Sequence, residues 1–128
     1  MATRSRAADN GNGRRKVMRW LRDQQQPCHI CGLPIDYRIT DPHDPRHFEC
    51  DELVPVSLGG SATDRANVGA AHRFCNEWRG NRMSWSVDAA RSAFIAAVAA
   101  FVSKLAGKGH AGRSDHGSTG AIAHSRRW

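Results

Sequence analysis

With 128 residues, of which 40% are hydrophobic, the chain can bury one small core, so a single folded unit with loose ends is expected. A formal net charge of +7 and a pI near 10.1 point to an anionic partner, with nucleic acid the commonest, or more simply to solubility. The start, MATRSRAADNGNG, lacks an apolar leader, and the longest apolar run, AFIAAVAAFV at 93–102, is short for a bilayer span; a cytoplasmic protein with no membrane partner is expected.

Residues 1–13 are polar and rich in Gly and Asn, the composition of a disordered basic terminus. RRKVMRWLRDQQ predicts a basic helix over 14–26, with Val17, Trp20 and Leu21 on its apolar side and Arg15, Lys16, Arg19 and Arg22 supplying charge; Pro27 ends it. CHICGLPID follows as a tight metal knuckle, then a Pro/Asp loop, TDPHDPRH. FEC predicts a short strand with Phe48 and Cys50 on one face and Glu49 and Asp51 on the other. SLGGSATDRAN is a turn-rich loop, and VGAAHRFCNEWRGNRM starts extended and turns helical near His72. A helix is expected from Ser86, its N-cap, through an apolar stripe of Phe94, Val98, Phe101 and Leu105 to a C-cap at Gly107, and a disordered tail from 108 to 128.

In a reducing cytoplasm, Cys-x-x-Cys reads as a metal or redox motif rather than a disulfide staple, and no βαβ pattern surrounds this one. Cys28 and Cys31 form one such pair, and HRFC adds His72 and Cys75 at the same spacing. Together they make a Cys₃His set of the kind that holds structural Zn²⁺. Cys50 competes with His72 for the fourth place; His72 is preferred for its knuckle spacing to Cys75, which leaves Cys50 as a small core residue. His29, His43 and His47 read as solvent-facing.

Turning 100° per residue along a helix from His72 puts Asn76 beside His72, flanked by Arg73 and Arg79, with Phe74 and Trp78 on the opposite, core-facing side. A carboxylate from the end of the strand could meet Asn76. Asp51 with Asn76 would offer two oxygen ligands and open positions, which suits Mg²⁺ or Mn²⁺, and the arginines suit a phosphate backbone. Glu49 reads as a solvent-exposed strand residue.

CHIC, FECDELVPVSLGG and DRANVGAAHRFCNEWRGNR, taken together, resemble the HNH endonucleases, especially the small HNH proteins of bacteriophages and prophages. The resemblance covers 27–83 and implies an α+β fold: a small zinc-stabilised ββα-metal core, treble-clef-like, flanked by a basic helix and by a C-terminal helix over 84–107. It implies DNA as partner and metal-dependent cleavage of its phosphodiester bonds in a bacterial host cell. Asp51 would bind the catalytic ion with Asn76, Asn67 would orient the loop through backbone hydrogen bonds, and Cys28, Cys31, His72 and Cys75 would hold the structural zinc. Arg73, Arg79 and Arg82 become candidate phosphate contacts. One site makes one nick, so double-strand cleavage would call for a homodimer or two encounters; a packaging or terminase partner is also compatible.

The chain departs from the family at one place. Asp51 is followed by Glu52, where the family usually has the His that activates water. A free Glu has a pKa of about 4.3 against about 6.5 for His, so it is charged at neutral pH but a weaker base. Glu52 as base, Glu52 as second metal ligand, and loss of cleavage with retained DNA binding all follow as readings of that exchange. A zinc module that binds protein is a further alternative, with the Ala-rich helix as its only candidate surface.

Overall fold

The computed structural model describes residues 2–109, with side chains described for 11–107. It is an α+β fold. In chain order come helix α1 (Ala2–Asp23), strand β1 (Phe48–Glu52), two single 3₁₀ turns (Val56–Leu58 and Arg65–Asn67), strand β2 (Val68–His72), helix α2 (Arg73–Arg79) and helix α3 (Val87–Gly109). The expected tail falls almost wholly on 110–128, outside the described residues.

The strands pair antiparallel, with Phe48 opposite His72, Cys50 opposite Ala70 and Asp51 opposite Gly69. Phe48 is buried and packs its ring 5.1 Å from that of Tyr37, under the Arg22 guanidinium of α1. α1 buries Val17 and Leu21, with Trp20 partly buried against the same core, as its apolar spacing predicts. β1 residues alternate in direction, so Phe48, Cys50 and Glu52 share the face toward α1, whereas Glu49 and Asp51 face α2. The hairpin is thus covered on its two faces by different helices.

α1 begins at Ala2 rather than Arg14. Ala2, Arg4, Arg6, Ala7 and Ala8 favour the helix, but Asp9 to Gly13 do not, Gly11 and Gly13 costing about 1 kcal/mol each. α3 likewise runs past Gly107 to Gly109, so Gly107 is not its cap. Its start is as expected: the Ser86 hydroxyl accepts from the Ala89 amide at 3.1 Å. The buried face of α3 consists of Ala90, Phe94 and Ala97, with Val98 partly buried, while Leu105 is exposed. The small alanines let the helix approach α2, and Phe94 fills the space between them. By length and composition alone Val87–Gly107 could cross a membrane, so the apolar run at 93–102 is not too short once its flanks are counted. The packing of Ala90, Phe94 and Ala97 on the core accounts for part of that apolar character.

The loop between the strands is braced from one side chain. Asn67 accepts from the Val54 amide (2.9 Å) and donates to the carbonyls of Val54 (3.0 Å) and Ser61 (2.9 Å). Gly60 is required beside it, since a Cβ there would collide with the Val54 carbonyl and press on the Asn67 amide. The loop at 41–47 is braced in the same way, by Asp44, which accepts from the Arg46 backbone (2.9 Å) and from its guanidinium (2.9 and 2.8 Å). The Arg46 side chain holds the Asp44 carboxyl below its ordinary range. Asn67→Ala is expected to lower stability by about 1–3 kcal/mol, because it leaves three backbone groups of the 54–61 loop without that partner. Denaturant unfolding measures the loss, and the 53–61 amides should exchange faster in hydrogen-exchange experiments.

Candidate metal centre and the adjoining polar face

Cys28, Cys31, His72 and Cys75 are all buried, and their ligand atoms lie within 4.8 Å of one another. Two come from the knuckle after α1; His72 ends β2 and Cys75 sits in the first turn of α2. The set could hold a structural metal such as zinc. Its chemistry fits one: three thiols and an imidazole enclosed in the core have no apolar reason to converge. His72 Nε2 donates to the Pro34 carbonyl at 3.0 Å, which leaves Nδ1 to face the sulfurs of Cys31 (3.5 Å) and Cys75 (3.8 Å). The imidazole lies flat on Phe94 of α3, with ring centroids 3.9 Å apart.

The proton distribution points the same way. Hydrogen bonds from the Cys31 and Cys75 thiols hold the Cys28 thiol far below its ordinary range, and those between Cys75 and Cys28 and Cys31, together with burial, push the Cys75 thiol far above. Burial opposes a charge on His72, but the Cys28 and Cys31 sulfurs outweigh it and raise its pKa to about 9. Cys28, His72 and Cys75 compete for protons in a small enclosed space, and a divalent cation would take the place of those protons. Cys50 lies apart, on the strand face toward α1; burial, then the charges of Glu52 and Asp51, push its thiol up to about 11. His72, not Cys50, completes the set.

The knuckle is tied to α3 and to the segment that leads into it as well. Its Ile30 carbonyl accepts from Trp85 Nε1 (3.0 Å) and its Cys31 carbonyl from Arg91 Nε (3.0 Å). At the N-terminal end of α2, beside the metal set, the backbone amides of Arg73 and Phe74 donate to the carbonyls of His47 and Pro45.

The polar face between β1 and α2 differs from expectation. Asn76 does meet a carboxylate of β1, but it is Glu49: Asn76 Nδ2 donates to Glu49 Oε1 at 2.9 Å. Asp51, two residues further along the same strand face, is buried and its Oδ2 accepts from Arg79 Nη1 (2.6 Å) and is paired with His29 Nε2 (2.7 Å). Asp51 and Asn76 are therefore not brought together as a joint ion site. A divalent cation on Asp51 would also sit about 4 Å from the Arg79 charge, a repulsion of about 8 kcal/mol at an effective dielectric of about 20. The expected Mg²⁺ or Mn²⁺ does not fit there. Glu52 projects to the other strand face, so the two adjacent carboxylates do not form one site.

Arg79 is the largest departure from the sequence reading. It is 2% exposed and is not a surface phosphate contact. The helical projection groups Asn76, Arg73 and Arg79 correctly, but that side of α2 looks onto β1 rather than outward. Arg73 is half-buried and bonds Glu77 (3.2 Å), with Glu49 at 4.0 Å. Arg82 is exposed, anchored to the Trp78 carbonyl at 2.7 Å and stacked on its ring. His29 is not simply solvent-facing: its side chain is 23% exposed and it sits over the β2 backbone at Gly69. Gly69 is the sequence signal for that contact. A Cβ there would lie 3.0 Å from the His29 ring, and a glycine inside a strand marks such a close approach.

Comparison of the chain with protein-family models, with curated proteins and with solved structures finds no match.

The purified chain is expected to carry one equivalent of zinc by elemental analysis. Stripping it with a strong chelator, or Cys75→Ser, should unfold the hairpin and α2 together, seen as loss of near-UV circular dichroism from the surrounding tryptophans.

Proposed function

We propose that this chain is a zinc-stabilised, HNH-type protein that acts on DNA and hydrolyses phosphodiester bonds, in the cytoplasm of a bacterial host and close to phage or prophage DNA transactions. What supports the reading above all is the order β1–loop–β2–α2, closed by the Cys₃His set, with Asn67 bracing the loop that follows Asp51 and Glu52. A ββα-metal core has the same order of elements, and the hydrogen bonds of Asn67 to the loop backbone support the orienting role the resemblance implies for it. The charge of +7 supports an anionic partner.

In this reading Arg73 and Arg82, at the ends of α2, contact phosphates, and exposed Arg14, Arg15, Lys16 and Arg19 of α1 add salt-sensitive affinity. Glu52, half-exposed at the end of β1, is the candidate base. A catalytic Mg²⁺ or Mn²⁺ belongs to the family chemistry, but Asp51 and Asn76 are engaged with Arg79 and Glu49 and do not form its ligand pair.

The engagement of Asp51 with Arg79 and His29 favours a second reading, a DNA-binding or packaging-accessory protein that has given up cleavage. Nicking of supercoiled plasmid by the zinc-loaded chain, in Mg²⁺, Mn²⁺ or EDTA, separates the two. Under the nuclease reading the parent chain nicks and Glu52→Ala slows it by about 10²–10⁴-fold. DNA affinity without nicking establishes the binding reading, and absence of both defeats the two together. In either case Arg82→Ala should weaken DNA binding with little dependence on sequence and reduce the salt slope by about 1.

A further inference from the structure

We infer that the Arg79 guanidinium stands permanently where an HNH-type site would carry its divalent ion, so that Asp51 is a positioning residue and not a metal ligand. The inference concerns the Asp51 position named in the proposed function, but it is read by metal binding and stability and does not depend on cleavage.

Arg79 is not a surface cation that happens to rest on a carboxylate. Its Nη1 donates to Asp51 Oδ2 (2.6 Å) and to the Glu52 carbonyl (2.9 Å), its Nη2 to the Leu53 carbonyl (2.6 Å), and its Nε to the Arg82 carbonyl (2.8 Å). Nη2 also lies 3.7 Å from the Met83 sulfur. One planar fork thus holds three consecutive residues at the end of β1 and the turn after α2. The Trp85 ring lies over the guanidinium at 5.1 Å and meets the His29 ring edge-on at 5.8 Å, which closes the cluster from the α3 side. His29 supplies the second contact to the same oxygen of Asp51, from between two cysteines of the metal set. The cluster therefore ties the end of β1 to α2 and to the knuckle.

A divalent ion at Asp51 would have to displace Arg79, which would leave a guanidinium buried and stripped of its carboxylate. A carboxylate awaiting an ion behaves differently: without the ion its charge is a burden, and neutralising it is harmless or stabilising. Removal of either partner of a buried, hydrogen-bonded charge pair is instead strongly destabilising.

The test uses the full, zinc-loaded chain in buffer free of other divalent ions. Asp51→Asn and Arg79→Gln are each expected to lower Tm by about 10 °C or more, or to prevent folding, with Glu52→Gln close to the parent as control. The double variant should be no less stable than the worse single variant, because both remove the same interaction. Titrated with Mn²⁺ and followed by electron paramagnetic resonance, the parent should bind no ion that Asp51→Asn abolishes. An Asp51→Asn protein with the parent's Tm would overturn the inference, as would one equivalent of Mn²⁺ bound by the parent and lost in a folded Asp51→Asn. Absence of plasmid nicking would count against the nuclease reading alone.

Discussion

The fold depends on one buried constraint: Cys28, Cys31, His72 and Cys75 brought to a common point. The apolar core around them is small, and among the described residues the sheet has two strands. A hairpin of that size is marginal alone, and a core this small gains much from a structural metal. The four ligands come from the knuckle, the end of β2 and the first turn of α2, so a metal there would fasten the knuckle to the point where β2 passes into α2. α3 is fitted to the same point through Phe94 on the His72 ring and Arg91 on a knuckle carbonyl, and Trp85, just before the helix, holds another.

A second, polar constraint lies beside the first. Asn76 and Arg79, three residues apart on α2, face Glu49 and Asp51, two residues apart on β1. Strand and helix are thus matched residue for residue by hydrogen bonds. This explains why a strongly basic chain keeps two adjacent carboxylates at 51 and 52. They serve opposite faces of the hairpin: Asp51 neutralises a buried arginine, while Glu52 remains half-exposed toward α1.

Much of the framework was legible in the residues. The two x₂ spacings located all four members of the metal set, and the pairing of His72 with Cys75 correctly set Cys50 aside. The alternation in FECDE placed Glu49 and Asp51 on one face, and Ser86 marked the start of α3. The finer polar pairing was not legible, because a helical projection gives angular neighbours and not the surface they face. It grouped Asn76 with Arg79 but could not say that this side lies against β1. Nor could spacing decide whether Glu49 or Asp51 would reach Asn76, since both lie on the same strand face and differ by one side-chain methylene. His29 was hidden by the convention that residues between two knuckle ligands point outward, although Gly69 opposite Asp51 signalled that something lies close to β2. At the helix ends, the Gly- and Asn-rich 1–13 segment reads as disordered and Gly107 as a C-cap, and the helices continue through Gly11, Gly13 and Gly107.

X-ray absorption at the zinc edge on the protein as purified shows whether a Cys₃His metal centre organises the fold. The account predicts a four-coordinate site with three sulfurs at about 2.3 Å and one nitrogen at about 2.0–2.1 Å. Four sulfurs would put Cys50 in place of His72, and a coordination shell of oxygens alone would mean that these four residues do not hold the metal.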